Sequence, residues 1–160
     1  MSFDSWYRGY HPVLVAALIV VAGDPDAAAD AADEALVRAL ERWDAVQVMA
    51  SPEGWTYRVG VNLLRRRARR RELERRVLAR RSPVAPDPPA AIDLGVWQAV
   101  QVLTVRQREA IALRYLLDLS ETEVAEAMGV AVGTASATLA IARNRLAVMI
   151  GDAGNAEVRK

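Results

Sequence analysis

The chain has 160 residues, of which 52% are apolar and only 6% aromatic, a length that allows one compact domain or two small ones. It has no cysteine, which excludes disulfides and cysteine-ligated zinc. The longest apolar run, residues 13–22, is shorter than the roughly 20 residues that span a bilayer. No basic segment precedes it, so a signal peptide is not indicated. We therefore expect a cytoplasmic protein without a membrane partner.

The charges are segregated, although the net charge is only +1. Acidic side chains recur through residues 24–53, and arginines crowd residues 58–81. Such a chain is expected to contact two partners of opposite charge. No group of His or carboxylate residues has the spacing of a metal site or a catalytic centre, so neither a cofactor nor an enzyme activity is expected.

The first predicted helix covers residues 3–21. Trp6, Tyr10, Leu14 and Leu18 recur at one-turn spacing and should form its buried face. Pro12 sits poorly inside a helix and predicts a division into two pieces.

The second predicted helix runs from residue 25 to about 43, after an Asp24-Pro25 start signal. Its stripe of alanines and leucines predicts a buried face. The acidic side chains on its other face are compatible with a solvated surface that favours a helix amino terminus, or with a binding site for a basic partner.

Residues 44–50 are predicted to form a loop, and Ser51-Pro52-Glu53 to start a third long helix. This helix interleaves Trp55 with arginines, a combination that suits single-stranded nucleic acid because bases stack on aromatic rings while guanidinium groups hold phosphates. The simpler alternative places Trp55 in the core and the arginines in solvent. Their density argues against that alternative, since like charges repel.

A Pro-rich stretch, SPVAPDPPA at residues 82–90, should be an extended linker. We therefore predict helical domains at 1–81 and 93–150 that move independently, joined by a linker at 82–92 and followed by a tail at 151–160.

The second domain contains a predicted helix-turn-helix. Ser120 and Glu123 have the spacing of a capping box, Gly129 suits a left-handed helix end, and another helix should start near Val132. A preceding helix, opened by a capping box at Thr104, should pack Ile111, Tyr115 and Leu116 beneath this unit. In a helix-turn-helix protein the second helix lies in the DNA major groove, although a helix–glycine–helix corner also occurs in ordinary bundles.

The outward face of that second helix is poor in base-reading side chains. It offers Ser136, Ala137, Thr138, Ala140 and Ile141, where direct readout normally uses Arg, Lys, Asn or Gln. Arg143 and Arg145 follow later and suit phosphate contacts. Weak base readout is expected.

Three segments in this order resemble the extracytoplasmic-function sigma factors of bacterial RNA polymerase, in particular their actinobacterial type. YHPVLVAAL with GDPDAAADAADEALVRALERW is similar to the polymerase-docking helices of region 2. SPEGWTYRVGVNLLRRRARR is similar to the promoter-melting part of region 2, and LTVRQREAIALRYLLDLSETEVAEAMGVAVGTASATLAIARNRL to region 4. The resemblance implies an all-α fold of two small helical domains joined by the Pro-rich linker, and a subunit that directs promoter-specific initiation.

The resemblance also implies the partners and the site residues. In the family, the acidic helix binds the β′ coiled coil, the next helix holds a base flipped from the −10 element, and region 4 reads the −35 element and touches the β flap. The residues that this assigns to polymerase binding are Asp30, Asp33, Glu34 and Arg38. Those assigned to −10 DNA are Trp55, Arg58, Asn62, Arg65, Arg66 and Arg67. Those assigned to −35 DNA are Thr134, Ser136, Ala137, Thr138, Arg143 and Arg145.

A second functional hypothesis remains open. The chain could be a sigma-like regulator that binds polymerase or another activator and needs a helper protein for upstream DNA recognition. Core RNA polymerase and promoter DNA are the expected partners, and an anti-sigma factor or a helper activator is a possible further one. Transcription from core polymerase plus this protein alone separates the two hypotheses.

Overall fold

The computed structural model describes residues 2–78 and 94–157, and the side chains within them except those of 75–78 and 152–157. The predicted linker at 82–92 therefore lies outside the described residues. All regular elements of the described ranges are helical, which confirms the predicted all-α class. They are α1 (Phe3–Ala22), α2 (Pro25–Glu41), α3 (Trp43–Val46), α4 (Pro52–Leu78), α5 (Leu94–Gln101), α6 (Val105–Ile111), a π-helical turn (Ala112–Leu116), α7 (Glu121–Met128) and α8 (Val132–Glu157).

Helix α1 is continuous through Pro12, so the predicted division into two pieces is wrong. Pro12 is exposed, whereas Tyr10 and Leu14 on either side of it are buried. Packing on both sides of the proline holds one helix despite the missing backbone donor. The helix ends at Gly23, whose φ of 68° is the left-handed conformation that glycine adopts without strain.

Two boundaries in the amino-terminal part differ from the sequence prediction. Helix α2 ends at Glu41 instead of continuing to Trp43. Residues 44–50 are not all loop, because Trp43–Val46 form the short helix α3, whose Val46 is fully buried. Burial of one apolar side chain stabilises a turn that local propensity alone does not indicate.

The prediction that Tyr115 packs beneath the helix-turn-helix is wrong, because its side chain is 56% exposed. The chain passes through a π-helical turn at Ala112–Leu116, in which Leu117 N–H donates to the Ala112 carbonyl. A π turn inserts an extra residue relative to α-helical periodicity. Ile111 remains buried while the next predicted core position rotates outward.

The helix-turn-helix forms with the predicted caps. The Ser120 hydroxyl accepts from Glu123 N–H at 3.3 Å, and the Glu123 carboxylate accepts from Ser120 N–H at 2.9 Å. The Ser120 hydroxyl also donates to the Glu123 carboxylate at 2.6 Å, and this bond, followed by the one from Ser120 N–H, lowers the pKa of Glu123. Gly129 has a φ of 67° at the end of α7, and α8 begins at Val132 as predicted.

The amino-terminal half (α1–α4) and the carboxy-terminal half (α5–α8) pack against each other. Helix α1 contacts α6 and the π turn, and α4 contacts α7. Buried side chains of both halves, such as Leu14 and Leu113, belong to one hydrophobic cluster. The structure thus shows the two halves in contact, and the independent movement of the two domains stays a prediction. No described helix is by itself long and apolar enough to cross a membrane.

Candidate polymerase and nucleic-acid interfaces

The acidic surface, defined as Asp30, Asp33, Glu34 and Arg38, lies on the outer side of α2. Its opposite side is built from fully or nearly fully buried alanines that let α2 approach α1 and α4 closely. The side chains of Asp30 and Asp33 are 71% and 66% exposed. Val37 and Leu40 are each 53% exposed on the same helix. Exposed apolar groups among charges are typical of a protein-binding surface.

The carboxylates of this surface contact one basic residue of α2 itself and two from other helices. Arg38 donates to Glu34 one turn away at 2.5 Å. Arg67, from α4, lies 3.3 Å from Asp30 and 3.9 Å from Glu34. His11 Nε2 lies 3.1 Å from Asp33 Oδ1. The structure therefore places Arg67, which the sequence grouped with the DNA-binding arginines, beside the carboxylates of α2.

The start of α4 is fixed by the cap predicted at Ser51 and by two long-range bonds that sequence analysis missed. Trp6 Nε1 donates to Glu53 Oε1 at 2.6 Å, and the Tyr10 hydroxyl donates to the Glu53 carbonyl at 2.7 Å. The Ser51 hydroxyl accepts from Gly54 N–H at 3.0 Å. Glu53 is more than forty positions from both aromatic partners, and no local pattern links them. Two long-range bonds and a cap thus hold the first turn of α4 in one place.

The polar face of α4, defined as Trp55, Arg58, Asn62 and Arg65, follows from that start. Spacings of three, four and three residues bring these positions onto one side of the helix. Arg58, Asn62 and Arg65 are exposed, and Trp55 is partly buried against the core. Arg66 is also exposed. The structure therefore brings most of the predicted −10 residues together and separates Arg67 from them.

The carboxy-terminal half contacts two arginines of this polar face, both of which remain exposed. Arg58 donates to the Glu126 carbonyl of α7 at 3.4 Å, and one Arg65 nitrogen lies 3.2 Å from both Glu109 oxygens of α6. A cavity of about 20 Å³ remains between Trp55, Arg58 and α7. Such a space holds about one water molecule.

Glu109 is a buried carboxylate at the contact between the halves. It is 2% exposed. Burial raises its pKa, and the nearby Arg65 and Arg106 oppose that shift. The hydroxyl of Tyr57 is buried and has no hydrogen-bond partner among the described residues. Burial raises its pKa, with the Glu109 charge adding to the rise. A buried charge is tolerated only when it is paired, so Arg65 is the group that makes the buried Glu109 carboxylate acceptable here.

Most polar groups on the recognition helix α8 have partners inside the protein. Glu121 of α7 accepts from the Ser136 hydroxyl and lies 3.5 Å from Arg143. Thr138 donates to the backbone carbonyl of Thr134 at 2.8 Å. Arg145 donates to Gln107 of α6 at 3.2 Å.

Uncharged side chains are also exposed on α8. Thr134 and Ala137 are exposed, and Ile141 is 50% exposed. The predicted −35 residues thus share one helix, and both arginines among them are exposed while contacting side chains of α7 and α6.

Comparison with known families places both halves. Residues 6–74 match the model "Sigma-70 region 2", and residues 94–146 match "Sigma-70, region 4". The helical fold, with a helix-turn-helix following an arginine-rich helix, is thus that of a sigma-70-type transcription initiation factor.

Similar proteins show which group of sigma-70-type factors the chain belongs to. The chain is 31% identical over 144 residues to the ECF RNA polymerase sigma factor EcfG of Rhodopseudomonas palustris, covering 87% of this chain and 80% of the relative. It is 28% identical over 155 residues to the RNA polymerase sigma-E factor of Streptomyces avermitilis, covering 91% and 83%. The sigma factor RpoE of Bartonella quintana, solved with the anti-sigma factor NepR, aligns with a TM-score of 0.76 at 27% identity, over 93% of this chain and 96% of that one. The chain belongs to the extracytoplasmic-function family of RNA polymerase sigma factors.

Proposed function

We propose that this sigma factor divides its work among three surfaces. The acidic surface of α2 binds the β′ coiled coil of core polymerase. The polar face of α4 holds the single-stranded −10 element, and α8 lies at the −35 element with region 4 against the β flap. The protein contributes binding and orientation in the cytoplasm, and the chemistry of transcription stays with the polymerase.

One observation carries the −10 assignment. The polar face of α4 combines a partly buried tryptophan, two arginines and an asparagine on a helix whose first turn is anchored to α1. Aromatic stacking holds a base without regard to sequence, and guanidinium groups hold phosphates. Asn62 adds an amide that can donate to or accept from a base edge. This set of groups suits one unpaired strand better than a duplex, whose bases are stacked away.

The experiment compares promoter binding by holoenzymes that carry Arg58→Ala or Asn62→Ala. Both variants should bind a promoter with an unpaired −10 segment more weakly than wild type does, and open a duplex promoter more slowly. Arg8→Ala is the matched control, because Arg8 is 80% exposed on α1 and pairs with Asp4. Wild-type behaviour of both α4 variants would overturn the −10 assignment.

A second candidate function is favoured by the recognition helix. Since Ser136, Arg143 and Arg145 are bonded within the protein, little remains to read bases except hydroxyl, methyl and shape contacts. In that case a helper protein covers the exposed Ile141 and supplies the upstream contact. Upstream specificity should then appear only when cell extract is added, and Ile141→Lys should abolish it.

The proposal includes an anti-sigma factor as a further partner. The similar RpoE structure holds its sigma factor together with such a protein, and the alignment extends over both halves of this chain. Co-purification from the native host tests this extension, and isolation of the sigma factor with polymerase subunits alone would speak against it.

A further inference from the structure

We propose that Trp6 of α1 is a positioning residue for −10 recognition. Its ring holds Trp43 before the segment 47–51, its N–H holds Glu53 after that segment, and together these contacts set the direction in which the polar face of α4 points. Trp6 is buried, so it acts through the residues that it holds. This inference rests on the proposed role of the polar face in −10 binding.

Trp6 contacts both ends of the segment that joins α3 to α4. The centroid of its ring lies 4.9 Å from that of Trp43, the first residue of α3. Its Nε1 donates to Glu53 Oε1 at 2.6 Å, in the first turn of α4. One side chain therefore bridges two helices whose contact positions are ten residues apart in the sequence.

The segment between these two ends is largely exposed. The side chain of Val48 is 78% exposed, and that of Met49 is 39% exposed. The backbone N–H of Met49 donates to the Val46 carbonyl at 3.1 Å, a bond between near neighbours. Exposed segments with few buried contacts are held weakly by themselves. The path of the chain from α3 to α4 therefore depends on the contacts that Trp6 makes at its ends.

The bond to Glu53 fixes the rotation of α4 as well as its start. The cap at Ser51 determines where the helix begins, but not which side of it faces α1. Tyr10, one turn after Trp6, donates its hydroxyl to the Glu53 carbonyl at 2.7 Å, so two side chains of α1 hold the same residue. At about 100° per residue, the positions of the polar face lie roughly 120–200° around the helix from Glu53. Holding Glu53 against α1 therefore turns the polar face away from α1.

A close approach further along α4 maintains this rotation. Gly60 is buried, and a methyl group built on it would lie 2.9 Å from the Leu18 side chain of α1. This distance is shorter than an ordinary van der Waals contact, so only glycine lets the two helices lie this close without a shift of Leu18. Because α4 is held to α1 at both points, a shift of its first turn changes the direction of the polar face.

Two substitutions of Glu53 separate the hydrogen bond from the charge. Glu53→Gln removes the charge but keeps an oxygen that accepts from the Trp6 N–H, whereas Glu53→Leu removes both. Glutamine and leucine have similar helix propensities, so the two variants differ mainly in this bond. In Glu53→Leu the buried N–H of Trp6 loses its acceptor, which favours a shift of the first turn of α4. Thermal melting followed by circular dichroism checks that both variants fold.

The measurement is promoter opening by holoenzyme, followed with 2-aminopurine placed in the −10 element. The −10 discrimination is the ratio of opening rates between a promoter selected with the holoenzyme and the same promoter with one −10 base changed. Glu53→Leu should lower this ratio roughly tenfold, because a displacement of about 1 Å already misplaces a binding group. Glu53→Gln should retain most of the ratio. Affinity for core polymerase should equal that of wild type in both variants, whereas general destabilisation would lower it as well.

Trp6→Phe tests the same bond from its other side. Phenylalanine keeps a ring for the contact with Trp43 but has no N–H to donate. It should lose −10 discrimination to the same extent as Glu53→Leu, and the double variant should lose no more than either single one. Tyr7→Phe is the matched control, because it changes an exposed aromatic side chain of the same helix.

Wild-type discrimination in folded Glu53→Leu would overturn the proposal, and so would equal losses in Glu53→Leu and Glu53→Gln, which would assign the effect to charge. The holoenzymes with Arg58→Ala and Asn62→Ala judge the −10 assignment separately. Weak −10 binding by these two variants, together with wild-type discrimination in Glu53→Leu, would retain that assignment and overturn only the positioning role. Wild-type behaviour of these two variants, together with a loss in Glu53→Leu that Glu53→Gln restores, would retain the positioning role and overturn the assignment of the polar face.

Discussion

Arg67 of α4 lies 3.3 Å from Asp30 of α2, whereas its neighbour Arg66 is exposed. Adjacent residues on a helix differ in direction by about a quarter turn or more. Three consecutive arginines therefore serve different surfaces: Arg65 faces Glu109, Arg66 faces solvent, and Arg67 faces the acidic surface.

This separation predicts different salt behaviour for neighbouring arginines. In holoenzyme bound to promoter DNA, Arg66→Ala should reduce the slope of log K against log salt by about 1, the loss of roughly one released counterion. Arg67→Ala should leave that slope unchanged, because its partners are carboxylates of the same chain. Filter binding over a salt series measures both slopes. Equal reductions in the two variants would place Arg67 at the DNA as well.

The acidic surface gives a prediction about core polymerase. Replacing Asp30 and Glu34 together with Ala should change the free energy of unfolding by less than about 1 kcal/mol, as is typical of exposed ion pairs. Affinity for core polymerase should fall and become less sensitive to salt, because charges that attract the β′ coiled coil are lost. Fluorescence titration with labelled core measures this, with Asp4→Ala as control. Unchanged affinity would mean that Asp30 and Glu34 belong to an ordinary solvated helix face and do not bind polymerase.

Local sequence signals predicted the helix caps and helix ends. They did not predict contacts between residues that are distant in the sequence. The capping boxes at Ser120 and Thr104 and the glycine stop at 129 were correct because their chemistry lies within four residues. The continuity of α1 through Pro12 depends on packing against other helices. The burial of Glu109 beside Arg65 joins positions 44 residues apart, so no periodicity marks it.

Asp24 predicts how stability depends on pH. Two hydrogen bonds to its carboxylate lower its pKa. The larger effect comes from the Ala27 backbone N–H, which donates at 2.9 Å, and the next from Arg71, which donates at 2.8 Å. The folded state therefore binds this proton less readily than the unfolded chain does. Its contribution to stability is present above the ordinary carboxyl pKa of about 4 and is lost as the pH falls through the lowered value.

The test uses Asp24→Asn, which keeps a good helix cap but cannot titrate or pair with Arg71. Its melting temperature should be below wild type near neutral pH, and the difference should vanish in acid. Asp26→Asn, at an exposed neighbouring position, is the control. A difference that stays constant down to acid pH would mean that the carboxylate charge of Asp24 does not contribute.

The contacts of Glu121, a residue of α7, predict that replacing it increases DNA binding by the recognition helix α8. Because it binds both Ser136 and Arg143, Glu121→Gln should release Arg143 toward DNA phosphates. Holoenzyme affinity for duplex upstream DNA should rise a few-fold, with a salt slope steeper by about 1. Glu126→Gln, at an exposed position on the same helix, controls for the lost negative charge. An equal gain in both variants would assign the effect to net charge.

The division of labour among the three surfaces is tested most directly by run-off transcription with core polymerase and this protein as the only sigma factor. Templates would carry single-base changes across the −10 and −35 elements of a promoter selected with the holoenzyme. Transcription should start at one position, fall sharply with changes in the −10 element, and respond weakly to changes at −35. Asn62→Ala should abolish the −10 discrimination while core binding persists. Failure to initiate from purified components, or strong dependence on −35 bases with none on −10 bases, would contradict the account.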